Sequence, residues 1–571
     1  MTSLKKEIEK IFLSAIKVCG FELPENAIVV KNSDRPDLSD FQSNIAMTLA
    51  KSLKKNPRQI ATDIVEKIAT TDITTTIDGP GFINIKVFPE FVARITSQNT
   101  FASHHLNNPK TIIIDYGGPN VAKTLHVGHL RSCAIGEALK NLAKFMGYNV
   151  IGDAHWGDWG LPMGLVISVI KERGLKLPLT IDELNPIYPE ASKRSKEDKS
   201  FMATAQEETK KLQKGDKENR EIWQSIRKTS IDDIMKILPM LNVDFDLWLG
   251  ESDANDDVNA LVKSFEDDGF TKISEGAKVI DLSNYPMNNT EVPPFIMVKS
   301  NGAVMYGMTD VATLYDRVQR KHADMVWYVV DSRQALHFHQ IFSVAEITGI
   351  KGSAQLEHLG FGTVLGPDAK PLKTRNGDNV SLMELITSAI DAAAKKIDEN
   401  EKTRNLPSTE KEKIARDVAI AALKFADLIN PRTTDYIFNL EKFVSFEGKT
   451  GPYILYTAVR IKSLLRELVP SGVDIAKSQL ILSNQSDKAL AMKLCEFDDV
   501  IEKSFIARGV HILVQYIYEL AAAYNDFYHN CKIGPEQNLV QKNSWLRLSQ
   551  MTLTVFEQFA SIIKINIPER M

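Results

Sequence analysis

The chain has little cysteine. Four occur in 571 residues, Cys19, Cys133, Cys495 and Cys531, and no two are spaced as CxxC. That excludes a zinc ribbon and a thioredoxin-like redox pair, and it fits a reducing compartment. No run of 18 apolar residues occurs, so a membrane-spanning helix is not expected. The start, MTSLKKEIEKIFLSAIKVCG, spreads charge through an amphipathic repeat where a secretory signal would place a pure apolar run. A cytoplasmic protein without a membrane partner is expected. Nor does one sign of charge dominate. The net charge is −4; residues 1–110 hold 14 Lys and Arg against 12 Asp and Glu, and residues 441–571 hold 15 against 14. Neither end is a basic block, so charge alone does not predict RNA binding. Repeats and low-complexity tracts are lacking too, and 43% hydrophobic with 25% charged residues is the usage of a folded globular protein.

What is present divides into three. Residues 1–107 read as an α+β module. An amphipathic helix covers Leu4 to Val18, with Ile8, Ile11, Phe12 and Ile16 on one face. Helical stretches follow over Asn44–Lys54 and Pro57–Ala69, and ITTTIDGPGFINIKV turns on Gly79-Pro80-Gly81 as paired strands. Residues 97–109 look like a linker. Residues 108–440 open with the β-branched run Thr111–Asp115, a Gly/Pro/Asn loop and a helical pattern over Val127–Met146, the beginning of a doubly wound parallel sheet. Further sheet strands are expected at Asn149–Ile151, Phe295–Val298 and Met325–Val330. An insertion at about 165–295 separates the halves, its charged part over Tyr188–Arg227 reading as a solvated helical excursion. Residues 441–571 are helical throughout. The fold class is α/β, a Rossmann-type doubly wound catalytic domain with an insertion, an N-terminal α+β domain and an all-helical C-terminal domain.

The chemistry concentrates between Asp115 and Leu130. A strand end followed by a helix start offers free backbone N–H groups and a positive dipole, suited to phosphate. His126 and His129, three apart, share one face of the first helical turn. Gly128 between them lacks a Cβ, so a ligand can approach the backbone. Two imidazoles can donate to phosphoryl oxygens as charge builds on them, and Lys123 adds positive charge. A metal pair is the plainer alternative, but no zinc signature surrounds it, although Glu137 or His155 would be the nearest third ligand.

The stretch GPNVAKTLHVGHLRS, Gly118–Ser132, resembles the histidine signature of class I aminoacyl-tRNA synthetases, and in its longer form that of the arginyl enzymes. The resemblance recurs at DFQSN (Asp40–Asn44), GPGFINIKV (Gly79–Val87), HWGDWG (His155–Gly160), FDLWLGES (Phe245–Ser252) and DSRQALHF (Asp331–Phe338). It continues at KTRNG (Lys373–Gly377), RTTDYIFN (Arg432–Asn439), FEGKTGPYILY (Phe446–Tyr456) and the terminal PERM. It implies ATP-dependent ligation of arginine to its tRNA through an arginyl-adenylate, with Mg2+ bound on ATP and no protein metal site. The implied catalytic residues are His126, His129, Lys123 and Lys373. ATP would lie on Gly128, His126, His129, His337, Lys373 and Arg375. Arginine would be held by Glu251, Asp310 and Tyr306 at its guanidinium, and by Asn120 and Gln334 at its polar groups. The tRNA would touch Phe41, Gln42 and Asn44 in the N-terminal module, and Arg460 and Lys462 in the helical tail. A monomer is expected.

One departure stands out. The family's second signature, Lys-Met-Ser-Lys-Ser, is replaced by Pro371-Leu372-Lys373-Thr374-Arg375, and the resemblance implies that Lys123 compensates. Three rivals remain at this point: another HxGH adenylyl- or nucleotidyl-transferring enzyme, a synthetase for another amino acid such as cysteine, and a non-catalytic tRNA-binding relative. Trp156 and Trp159 read as core.

Overall fold

A computed structural model describes residues 3–24, 27–35, 37–372, 380–400, 403–470 and 473–571. Its centre is a four-stranded parallel sheet of β1 (Thr111–Asp115), β2 (Asn149–Asp153), β3 (Met325–Tyr328) and β4 (Gln355–His358) in the order β4-β3-β1-β2. The register pairs Asp115 with Asp153 on one side and with Tyr328 on the other. Ile112, Ile113 and Ile114 are all fully buried, as a parallel strand covered on both faces requires. The chain leaves β1 for β2 on one side and later returns to β3 on the other. The crevice therefore opens at the carboxyl ends of β1 and β3.

Phe295–Val298, expected in this sheet, is elsewhere. It pairs antiparallel with Ala277–Ile280, which pairs with Thr271–Ser274, in a separate three-stranded sheet. A short apolar run does not say which sheet it joins, because its neighbours are set by tertiary contact.

The insertion also differs from the expected solvated excursion. Its helices Ile187–Glu197, Lys199–Gln213 and Lys217–Ile237 cover the Leu161–Arg173 helix, with Phe201, Ala205, Leu212, Ile222 and Ile226 buried in a core of their own. The charges lie on the opposite faces of these helices, as amphipathic packing demands. The chain then returns to the sheet edge. The Leu247 carbonyl accepts from the Ala154 amide at 3.1 Å, the Leu249 carbonyl accepts from that of Trp156 at 2.9 Å, and the Glu251 amide donates to the Trp156 carbonyl at 3.0 Å.

The helix after β1, Val127–Phe145, is buried on almost every side. It packs against the sheet on one face and on the other against C-terminal helices, among them Leu539–Ile563. In the N-terminal module the Ile73–Asp78 and Phe82–Val87 strands form the expected antiparallel hairpin. This module leans on the C-terminal helices. Lys6 Nζ lies 2.8 Å from Glu502, Lys488 Nζ 2.9 Å from Asp40, and His104 Nε2 2.7 Å from Asp498. The segment expected as a linker is thus pinned, with Phe101 buried as well. Among the described residues no helix is long and apolar enough to cross a membrane.

Candidate active site

The spacing of the two signature histidines is that of a helix cap. His126 is the N-cap of the Val127–Phe145 helix and His129 its third residue. The Gly128 amide donates to His126 Nδ1 at 3.1 Å, and the His126 amide donates to His129 Nδ1 at 3.0 Å. This is the reciprocal capping box, built from imidazoles in place of serine and glutamate. It fixes the tautomers. With Nδ1 accepting on both rings, the proton of each neutral imidazole sits on Nε2. The rings pack at 4.1 Å between centroids. A Cβ on Gly128 would come within 2.8 Å of His126 Cε1, so any side chain there would push the ring off its cap.

Burial holds both rings neutral. His129 is pushed down to about 3, by burial first and then by the like charge of His126 and of Lys123. His126 is lowered by burial, Lys123 and Arg333. Lys123 is itself lowered by burial. The site thus presents Nε2–H donors at a helix N-terminus, the arrangement that suits phosphoryl oxygens.

The other end of the crevice is acidic. Glu251 follows the edge segment hydrogen-bonded to Trp156, and the same ribbon joins Asn120 to Gly157, whose amide donates to the Pro119 carbonyl at 3.0 Å. Two bridged steps therefore connect the signature loop to Glu251. Asp158 anchors the turn. Its carboxylate accepts from the Ser252 amide at 3.0 Å, the Ser252 hydroxyl at 2.8 Å and Arg227 Nε at 2.9 Å. A Cβ on Gly250 would lie 2.7 Å from that carboxylate. Glu251 is 9% exposed, and no donor or cation among the described residues reaches its carboxylate. Burial, then Asp310, then Asp158 push it up to about 9.

Asp310 lies in the first turn of the Gly307–Tyr315 helix and does not cap it. His337 Nε2 approaches its Oδ2 at 2.6 Å. The Tyr306 hydroxyl turns to the same carboxylate, and Asp310, burial, Glu251 and Asp115 raise it far above the ordinary phenol range. The ring of Tyr306 stacks on His337 at 5.5 Å and is half exposed at the mouth. His337, expected beside ATP, is thus bound into the acid cluster. Gln334, also exposed, stands at the N-cap of the same helix as His337.

Lys373 and Arg375 lie outside the described residues. Trp156 and Trp159 are core, 0% and 3% exposed. Of the tRNA contacts, Phe41 is corrected: its ring is 6% exposed in the module's core and offers no outer surface. Gln42 binds Asn84 at 3.0 Å, and Asn44 is the partly exposed N-cap of the Ile45–Leu53 helix. Arg460 sits between the Tyr456 and Tyr528 rings and donates to Asn525 at 2.7 Å, while Lys462 holds Glu569 of the terminal segment at 2.6 Å. Neither is a free basic stripe.

Several residues of the site carry no sequence signal. Arg317 is 1% exposed and donates through Nη2 to Asp115 at 2.7 Å and Asp153 at 2.6 Å. Asp115, Asp153 and His155 are the one grouping of three ligand-type side chains among the described residues, converging within 4.8 Å. A divalent cation there would meet the guanidinium already lying on both carboxylates. Cys133, the thiol nearest the crevice, is buried and pushed up to about 12, so it offers no thiolate ligand.

Comparison with known proteins agrees with this geometry. A family model described as "tRNA synthetases class I (R), catalytic domain" matches residues 91–440. One for the DALR anticodon binding domain matches 454–571, and one for the arginyl tRNA synthetase N terminal domain matches 2–87. A capped histidine pair after the first strand of the sheet, with these matches, defines a class I aminoacyl-tRNA synthetase. The chain is 42% identical to the arginine–tRNA ligase of Alkaliphilus oremlandii, with 100% of both chains covered. It is 40% identical to that of Agathobacter rectalis, covering 100% of this chain and 99% of the other. The solved arginyl-tRNA synthetase of Plasmodium falciparum superposes over 100% of both chains with a TM-score of 0.84 at 26% identity. That of Thermus thermophilus, at 23% identity and 0.81 over 100% of both, shares the fold. The chain belongs to the arginyl-tRNA synthetase family.

Proposed function

We propose that the chain ligates L-arginine to its tRNA in two steps in this crevice, working in the cytoplasm as a monomer. The arginine carboxylate attacks the α-phosphorus of ATP in line; the bond to pyrophosphate breaks and arginyl-adenylate forms. The 2′-hydroxyl of the terminal adenosine of tRNA then attacks the arginyl carbonyl and AMP leaves. Positioning and charge stabilisation do the work in the first step. The Nε2–H groups of His126 and His129 donate to the phosphoryl oxygens, Lys123 supplies positive charge, and ATP lies over Gly128. Lys373 and Arg375 are assigned to the leaving pyrophosphate. Mg2+ bound to ATP as part of the substrate would supply charge neutralisation on the phosphates, and no side chain is assigned to it.

The acid end takes the substrate side chain. A planar guanidinium needs two acids set apart, which Glu251 and Asp310 provide, with Tyr306 over them and His337 bracing Asp310. Asn120 and Gln334 take the amino acid's polar groups. The helical tail is assigned to the anticodon and the N-terminal module, through Gln42 and Asn44, to the outer corner of tRNA. The observation that carries the reading is a pair of neutral imidazoles, capped through Nδ1, two bridged steps from a buried glutamate whose carboxylate no donor among the described residues reaches.

The test is charging of total tRNA with each of twenty radiolabelled amino acids. Arginine alone is expected to be incorporated; comparable charging with another amino acid overturns the assignment. Pyrophosphate exchange is expected only with tRNA present, and full exchange without it would remove the tRNA requirement.

A further inference from the structure

We propose that Tyr188 is a positioning residue for the adenylation step: its ring face holds the Lys123 ammonium beside the histidine pair while leaving its charge uncancelled. The inference rests on the role assigned above to Lys123.

Residues 121–124 of the signature form no helix or strand, and Ala122 adopts a left-handed φ of +63°. Such a loop does not hold its own shape. Three residues of the insertion hold it. Ser230 Oγ accepts from the Ala122 amide at 2.8 Å, and Asn185 Oδ1 accepts from the Thr124 amide at 2.9 Å. Between them, Lys123 Nζ stands 3.7 Å from the centroid of the Tyr188 ring. That ring is fixed in turn, packed against the core that includes Leu184 and Ile187.

The choice of partner is informative. Lys140 and Lys424, each 1% exposed, are met by oxygens: Lys140 by Glu137 and Asp244, Lys424 by the carbonyls of Ile563 and Lys564. Lys123 is half-buried, and among the described residues it has no ion pair and no hydrogen bond. A carboxylate would fix an ammonium but compete with phosphate for it. An aromatic face fixes it through the ring quadrupole and leaves the full positive charge on the site.

The experiment is steady-state aminoacylation by the full-length chain with ATP and arginine varied separately. Tyr188→Leu is expected to lower kcat/KM for ATP by about tenfold, the scale of a partly desolvated cation–π contact, with arginine KM unchanged. Tyr188→Phe should restore the rate. Replacing Tyr188 by phenylalanines of increasing fluorination keeps the shape and weakens the face, so log kcat/KM for ATP should fall stepwise. In a Lys123→Met background, Tyr188→Leu should do nothing more. A flat fluorine series, or additive losses in the double variant, would show that Tyr188 acts only through packing. If Lys123→Met itself leaves the rate unchanged, the role of Lys123 fails, and this inference with it.

Discussion

Burial lowers the two histidines at one end of the crevice and raises Glu251 at the other, yet the two ends are left in opposite states. At the histidine end every hydrogen bond needed to orient the rings is already made within the chain: each Nδ1 accepts from a backbone amide, which leaves the proton on Nε2. At the acid end Asp310 has His337 and Tyr306, but among the described residues the charges that act on Glu251 are those of Asp310 and Asp158, of its own sign. The difference matches what each end must do. Charge that develops during reaction is best met by donors that need no rearrangement. Selection of a cation is best done by a site that is incomplete without one, because a ligand lacking the guanidinium leaves a buried carboxyl unmet.

The sharpest way to break this comparison is to damage one end and read both. His129→Ala removes a donor and the acceptor for the His126 amide. It is expected to lower kcat by about 10²–10³, the scale for one lost transition-state donor, with arginine KM little changed. Steady-state kinetics with arginine varied decides it; an equal rise in arginine KM would mean that the ends are not separate. Asp310→Asn comes next. Losing a charged partner of the guanidinium should raise arginine KM by about 10–100-fold while kcat moves far less. A fall in kcat as deep as that of His129→Ala would make Asp310 part of the reacting centre.

The histidine end was legible in the sequence because it is local. The four residues His126 to His129 contain the cap, the tautomers and the glycine, and only covalent neighbours are needed to assemble them. The acid end was legible only by family resemblance. Glu251 lies 136 positions after Asp115 and Asp310 a further 59, and no spacing rule brings them together. Other residues that support the two ends were not legible at all. Arg317 reads as one more helical arginine, Tyr188 opens the stretch that reads as a solvated excursion, and Asn185 and Ser230 lie in the insertion on either side of it. Amphipathic helices bury one face whatever their net charge, and the pattern does not say against what. Phe41 fails for the same reason: a motif names a residue, while its strand register decides which way the ring points.

The smallest effect tests the incompleteness of the acid end directly. The Glu251 carboxyl is raised to about 9 in the folded chain against 4.5 for the free group. Between those values the unfolded chain has released a proton that the folded one keeps, so stability must fall as pH climbs. The favourable contribution is whole below about 4.5 and is lost by about 9. Glu251→Gln removes the titration. It should raise Tm by about 1–3 °C near pH 8 and flatten its pH dependence, a modest shift because the chain is long. The same change should weaken arginine binding and abolish its increase with pH toward 9, since in the native chain the guanidinium must displace the Glu251 proton. Calorimetry across pH 5–9 with and without arginine reads both quantities. A variant less stable than the native chain, or an unchanged pH slope for arginine, would mean that Glu251 already has a partner within the chain. The acid end would then be as complete as the histidine end.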